Sequence, residues 1–261
     1  MTPIISFEKS GWRIVLCKGN SGDAKIMLLL SKHDFPEMNS DEFESIKESK
    51  IFQHLFLQRE IAASVTANSA IADIGAQRFF HFLTGSPAKL KAVIDPYDGA
   101  GGNGLKSVPP LPEGLTLYQC GLGMKGSEII PDNSFDVTFS CSVLEHIGQA
   151  ECKYDCNPVN PPPEAQEAPR RSFARDLFRI TKPGGVTFHT IDHAARNLTW
   201  IDNLEAAGFV PAFTAKRPTV EEALDNPDLV RERLHWTQKT PFPPEVQRLH
   251  GILYVRMRKP L

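Results

Sequence analysis

From Ser69 onward, short apolar runs alternate with longer amphipathic stretches, and this alternation constrains the fold more than any other feature of the chain. Strands joined by helical crossovers lie parallel, so the helices must cover both faces of the sheet. The spacing predicts strands over residues 70–75, 91–96, 115–119, 135–140 and 186–190. A helix over 172–181 carries Phe173, Leu177 and Ile180 on one stripe, and Pro183-Gly184-Gly185 stops it. A second stripe, Leu198, Ile201 and Leu204, predicts a helix ending at Gly208. Beyond it, strands over 209–214 and 252–258 flank a helix near 219–235 that opens on Thr219 with Glu222 and is broken around Pro227.

The chain before this point reads differently. Residues 4–7 and 12–17 flank Ser10-Gly11, a hairpin turn. Asn39 with Glu42 makes a capping-box-like helix start, and Phe43, Ile46, Phe52, Leu55 and Phe56 form a helical stripe to about Ala63. The expected division is therefore a hairpin and helical cap region at 1–66 and one α/β domain at 67–261. Composition agrees with a soluble globular chain: 261 residues are ample for a core, and 23% charged residues with 41% apolar ones are ordinary. A net charge of −2 provides no basic field to recruit nucleic acid or anionic lipid, so neither is an expected partner. No apolar run reaches membrane-spanning length, and the N-terminus lacks a signal-peptide layout, so a cytoplasmic location is expected.

The 21 prolines cluster in loops, above all at 158–169 inside an insertion at 148–171 that has no periodicity. A loop of that length in a compact domain is a functional lid or is disordered. The five cysteines suit a reducing compartment. Cys120 and Cys141 lie in apolar runs and read as small core residues, while Cys152 and Cys156, with His146 nearby, lack the second pair of a zinc site. No metal is expected.

Candidate chemistry falls at the carboxyl ends of the strands, where open α/β sheets bind ligands. Asp73-Ile74-Gly75, followed by Ala76, ends the first strand; a glycine there lets backbone approach a ligand and the acid can meet an ammonium group. Asp95, followed by Pro96, comes twenty residues after Gly75, the spacing at which a carboxylate accepts hydrogen bonds from a ribose diol. Residues from Ser140 to His146 line the same crevice. Two glycine-rich matches to the dinucleotide fingerprint, at 99–104 and 121–126, run into proline-containing segments and open no helix, so a dehydrogenase is disfavoured.

Asp73-Ile74-Gly75, Val93-Ile94-Asp95-Pro96, residues 130–147 (Ile-Pro-Asp-Asn-Ser-Phe-Asp-Val-Thr-Phe-Ser-Cys-Ser-Val-Leu-Glu-His-Ile) and residues 179–185 (Arg-Ile-Thr-Lys-Pro-Gly-Gly) together resemble the small-molecule branch of class I S-adenosylmethionine-dependent methyltransferases. The resemblance covers residues 69–193, about half of the chain. It implies a Rossmann-like, mostly parallel seven-stranded sheet with helices on both faces and a terminal antiparallel pair. It implies S-adenosylmethionine as cofactor, with Asp73, Gly75 and Ala76 near its methionine end, Asp95 and Pro96 near its ribose, and Ser140 towards the sulfonium. Two departures stand out. Gln77 and Phe79 replace glycines of the family's first loop, and Cys120-Gly121 offers no acid for the adenine.

Because a sulfonium is already an activated leaving group, the protein has chiefly to align an acceptor and supply a base. His146 and His193, at the ends of neighbouring strands, are the candidate bases, and Asp192 could orient one of them. His189, inside the fifth strand, reads as a satisfied core histidine. The expected activity is methyl transfer to a small molecule, a saccharide or other hydroxylated metabolite. The alternative, which Gln77 and Phe79 motivate, is a non-catalytic methyltransferase-like binding module; a nucleic-acid methyltransferase ranks third.

Overall fold

The computed structural model describes residues 5–9, 12–16, 49–77, 79–99, 105–148, 164–212, 218–225, 229–231, 241, 243–247 and 249–261. The strands β1 (Ile5–Lys9) and β2 (Trp12–Leu16) form the expected antiparallel hairpin. The helix α1 (Ser49–Ser64) follows; the proposed cap at Asn39 and Glu42, like Cys152 and Cys156, lies outside the described residues.

The main sheet contains β3 (Ala70–Ile74), β4 (Leu90–Ile94), β5 (Leu115–Tyr118), β6 (Phe135–Cys141), β7 (Thr181–Ile191), β8 (Val210–Pro211) and β9 (Leu253–Arg258). Its order is β5-β4-β3-β6-β7-β9-β8. The first five of these pair in parallel, whereas β9 runs antiparallel to both β7 and β8. This is a Rossmann-like α/β fold with the seven strands and terminal antiparallel pair that the resemblance implied. The chain builds outwards from β3 through β4 to β5, then crosses back to β6 and β7. The reversal between β3 and β6 opens a crevice at the carboxyl ends of those strands.

Alternation within the strands sends side chains to two apolar layers. Ala70, Ala72 and Ile74 of β3 join a layer with Phe173, Leu177 and Ile180 of α3 (Glu164–Ile180). The short α4 (Ala194–Asn197), Trp200, Ile201 and Leu204 of α5 (Thr199–Ala206), and α6 (Val220–Asp225) complete it, before α7 (Pro244–Gln247). Ile71, Val93, Val137, Phe139, Phe188 and Tyr254 face the other way. They meet Phe52, Leu55 and Phe56 of α1 and Phe82 and Leu83 of α2 (His81–Thr84). Each large apolar side chain buried here contributes about 1.5–3 kcal/mol. Among the described residues no helix is long and apolar enough to cross a membrane.

Three elements differ from their expected limits. The helix α3 begins at Glu164, not near residue 172, and takes Pro169 into its interior. Local propensity opposes that, but the next residue, Arg170, is wholly buried, its guanidinium 5.3 Å from the Trp200 ring and bonded to Asn197, Thr199 and the Ile147 carbonyl. Strand β7 starts at Thr181, directly after α3, so Lys182-Pro183-Gly184-Gly185 forms an irregularity inside the strand. Gly184 (φ 76°) and Gly185 there exchange backbone hydrogen bonds with Lys259. Finally, α6 ends at Asp225, before Pro227, and Arg231 already bridges to Gly251 as strand, so the helix expected to 235 is much shorter. Its start is the reciprocal capping box between Thr219 and Glu222.

Candidate functional site

Strain marks the crevice. Among the described residues five non-glycine residues have positive φ, and four of them closely follow central strands: Gln77 (50°) after β3, Tyr97 (51°) after β4, Ser142 (50°) after β6 and His193 (57°) after β7. Left-handed backbone is costly for such residues and gathers where a structure is built to present groups to a ligand.

The β3–β4 side holds two acids. Asp73 is 3% exposed, and among the described residues no group donates a hydrogen bond to its carboxylate. Burial, then the neighbouring Asp95, pushes its pKa well up. Gly75 (φ 72°) donates its N–H to the Ile94 carbonyl at 2.8 Å. A Cβ there would lie 2.6 Å from Val143 Cγ2, so the position needs glycine for both conformation and space. Ala76 beside it is buried. Each Asp95 oxygen accepts one backbone N–H, from Gln77 at 3.1 Å and from Tyr97 at 2.8 Å. The Tyr97 hydroxyl donates to the Gln77 carbonyl at 2.8 Å, tying the two loops together. Burial raises the Asp95 pKa against the lowering effect of those two amides.

A nucleoside with a ribose diol and an ammonium group suits this arrangement. A carboxylate has about four lone-pair positions, so Asp95 keeps acceptor capacity after its two backbone bonds. Asp73 retains all of its own. Gln77 adopts the left-handed backbone that a family glycine would supply, and the Phe79 ring packs edge-on to His54 of α1, 5.8 Å away. Pro96, between Asp95 and Tyr97, accepts a 3.5 Å bond from Gln119 at its carbonyl.

The β6–β7 side is polar. Ser140 is wholly buried and its hydroxyl is engaged 2.8 Å from His189 Nδ1, inside the sheet. His189 meets Thr187 at its other nitrogen (2.6 Å), and burial drives its pKa down to about 3, leaving a neutral, satisfied imidazole. One residue further, parity changes. Gln53 of α1 accepts at Oε1 from Ser142 (2.7 Å), Thr190 (2.8 Å) and the Cys141 thiol (3.6 Å), and donates to Asp192 at 2.7 Å. Lys50, one helical turn earlier, pairs with Asp192 at 3.3 Å. Burial alone would raise the Asp192 pKa; Lys50, His193 and the donors Gln53 and Ser142 outweigh it and hold the carboxyl below the usual range. Burial pushes the Cys141 thiol up to about 11, which makes it a poor nucleophile.

Glu145 and His146 lie on a 3-10 turn, Leu144–His146, that follows β6. Glu145 is 3% exposed, among the described residues no side chain donates a hydrogen bond to either of its oxygens, and burial, then Asp192, raises its pKa well above the ordinary value. His146 Nε2 is 3.9 Å from Glu145 Oε1, and among the described residues its buried Nδ1 has no hydrogen-bond partner. Burial lowers the pKa of both His146 and His193, so both imidazoles are neutral near pH 7 and able to accept a proton. The His193 ring lies 4.5 Å from that of His250.

The residues expected to act together thus fall in two groups along one crevice: Asp73, Gly75, Ala76, Asp95 and Pro96 on one side, His146, His193 and Asp192 on the other. Lys50 and Gln53 were not expected at the site, and Glu145, within the stretch from Ser140 to His146, had been given no role of its own. Lys50 and Gln53 do share one face of α1, but nothing local shows what that face meets.

No family model and no curated protein matches the chain. Among solved structures it is similar to the N-methyltransferase NodS from Bradyrhizobium japonicum WM9, at 14% identity over 86% of this chain and 100% of that one, with a TM-score of 0.47. It is also similar to the YcgJ protein from Bacillus subtilis, at 13% identity over 80% and 99% of the two chains and a TM-score of 0.46. A third is an S-adenosylmethionine dependent methyltransferase from Mesorhizobium loti, at 12% identity over 77% and 96% and a TM-score of 0.43. The activities in those names belong to those proteins.

Proposed function

We propose that the chain is an S-adenosylmethionine-dependent methyltransferase acting on a small polar acceptor. The observation that carries this reading is the pair of buried acids at adjacent strand ends, Asp73 without a donor and Asp95 with spare acceptor capacity, around a glycine that tolerates no side chain. When bound, the cofactor supplies a methyl group already activated by its sulfonium. Asp73 receives an ammonium, Asp95 receives the ribose hydroxyls, and the backbone at Gly75 and Ala76 leaves room for close approach. On the opposite side His146 or His193 takes the acceptor's proton, and the neighbouring Asp192 charge stabilises the imidazolium that forms. Residues 1–66 are proposed as the cap region and 67–261 as the methyltransferase domain.

Calorimetry with S-adenosylhomocysteine tests the proposal. The wild-type protein should bind it saturably, and Asp95→Ala should weaken binding at least about tenfold, the loss expected from charge-assisted hydrogen bonds. The absence of heat with both S-adenosylhomocysteine and S-adenosylmethionine would sink the enzyme reading. It would leave the second, a non-catalytic methyltransferase-like binding module with a degenerate cofactor site, in which Gln77 is tied to Tyr97.

A further inference from the structure

We propose that Glu145 anchors the methyl acceptor and that the group it anchors is an amine. This inference rests on the methyl-transfer reading above and names the substrate class of the same crevice.

Glu145 is held in place by its surroundings. Its turn is fixed from beneath: the Leu144 carbonyl accepts from Trp200 Nε1 at 3.1 Å, and the Ile147 carbonyl accepts from the buried Arg170 at 3.4 Å. Such rigid support keeps a recognition group at a fixed position. The charged and titratable groups facing Glu145 are Lys50 from α1, Arg170 from α3, Asp192 from the end of β7 and His146 from its own turn. Lys50 is engaged with Asp192, whose other needs Gln53 meets. Arg170 is taken up by Asn197, Thr199 and the Ile147 carbonyl, so among the described residues no side chain donates to an ionised Glu145, whereas as a neutral acid it finds a partner in Asp192.

A buried carboxylate without a side-chain donor is costly even near the Lys50 and Arg170 charges, and a hydrogen bond from a neutral hydroxyl does not offset its charge. A neutral Glu145, conversely, would donate its proton to the lone pair of an alcohol that has to attack, which blunts the nucleophile. An ammonium avoids both problems. It brings the opposite charge, lets Glu145 ionise, and donates to it directly. His146 Nε2, 3.9 Å from Glu145, is then placed to accept the proton that the ammonium must lose before its nitrogen lone pair is free.

The probe is methylammonium, with methanol as its uncharged counterpart, titrated into full-length protein labelled with 13C at glutamate carboxyls. The Glu145 resonance is assigned by its disappearance in Glu145→Gln or, should that variant fail to fold, in Glu145→Asp. At neutral pH the resonance should start at the neutral-acid position and move saturably to the ionised position with methylammonium, and stay put with methanol. A resonance unmoved by methylammonium and by a series of larger primary amines would overturn the proposal, as would an equal response to methanol. The two readings fail separately: loss of S-adenosylhomocysteine binding in the wild type with the Glu145 response intact counts against the cofactor alone.

Discussion

Burial decides what the titratable residues of the crevice can do. His146, His193 and His189 all have pKa values lowered by desolvation, the last to about 3. Their imidazole proton resonances should therefore titrate below the ordinary value of about 6.5, with His189 still neutral at pH 5. The linked stability follows a definite sign. The unfolded chain binds protons at these histidines before the folded one does, so their contribution is intact above about pH 6.5 and is lost as pH falls. Glu145 works oppositely. Its folded pKa is raised, so the unfolded chain releases the proton first and stability falls as pH rises above the ordinary carboxyl value of about 4.3. Glu145→Gln should then match the wild type in urea midpoint near pH 4 and exceed it at pH 8, at the expense of amine binding. A lower midpoint at pH 8 would show that the carboxyl is better paired than described.

Between elements, the crevice depends on contacts that only the folded chain makes. Gln53 joins α1 to the ends of β6 and β7 through Ser142, Thr190 and Asp192. Truncation to alanine leaves the buried Thr190 and the half-buried Ser142 and Asp192 without this partner and should destabilise the protein by about 2–4 kcal/mol, measurable in urea unfolding. Gly75→Ala sets a methyl against Val143 at a left-handed position and should cost about 1–3 kcal/mol; Val143→Ala should restore the steric part only. A full rescue would mean that backbone conformation contributes nothing there. The strands and the acids at their ends were legible because each is encoded within a few residues: an apolar run, then Asp73-Ile74-Gly75 or Asp95-Pro96. The Ser140 hydroxyl shows the limit of such reading, since one step of strand parity separates its bond to His189 within the sheet from the Cys141 thiol that reaches α1, and Ser142 reaches α1 only because its left-handed backbone breaks the alternation. Lys50, more than a hundred residues from Asp192, could not be assigned to the site by any local pattern. The early start of α3 was hidden for a similar reason, because the burial of Arg170 against Trp200 overrides the proline beside it.

At the scale of the molecule, strand order concentrates function in one place. The reversal between β3 and β6 brings loops after β3, β4, β6 and β7 to one edge, and these loops with the strand ends before them carry the strained residues, the buried acids Asp73 and Glu145 and the histidines His146 and His193. In the proposed reading Asp73 and Asp95 accept the cofactor's ammonium and ribose hydroxyls, and His146 or His193 accepts the proton. The most direct test is a crystal structure grown with S-adenosylhomocysteine. The account predicts its ribose hydroxyls within hydrogen-bond distance of the Asp95 carboxylate and its ammonium beside Asp73. The ligand bound elsewhere, or an empty crevice at saturating ligand with Tyr97 still bonded to Gln77, would contradict it.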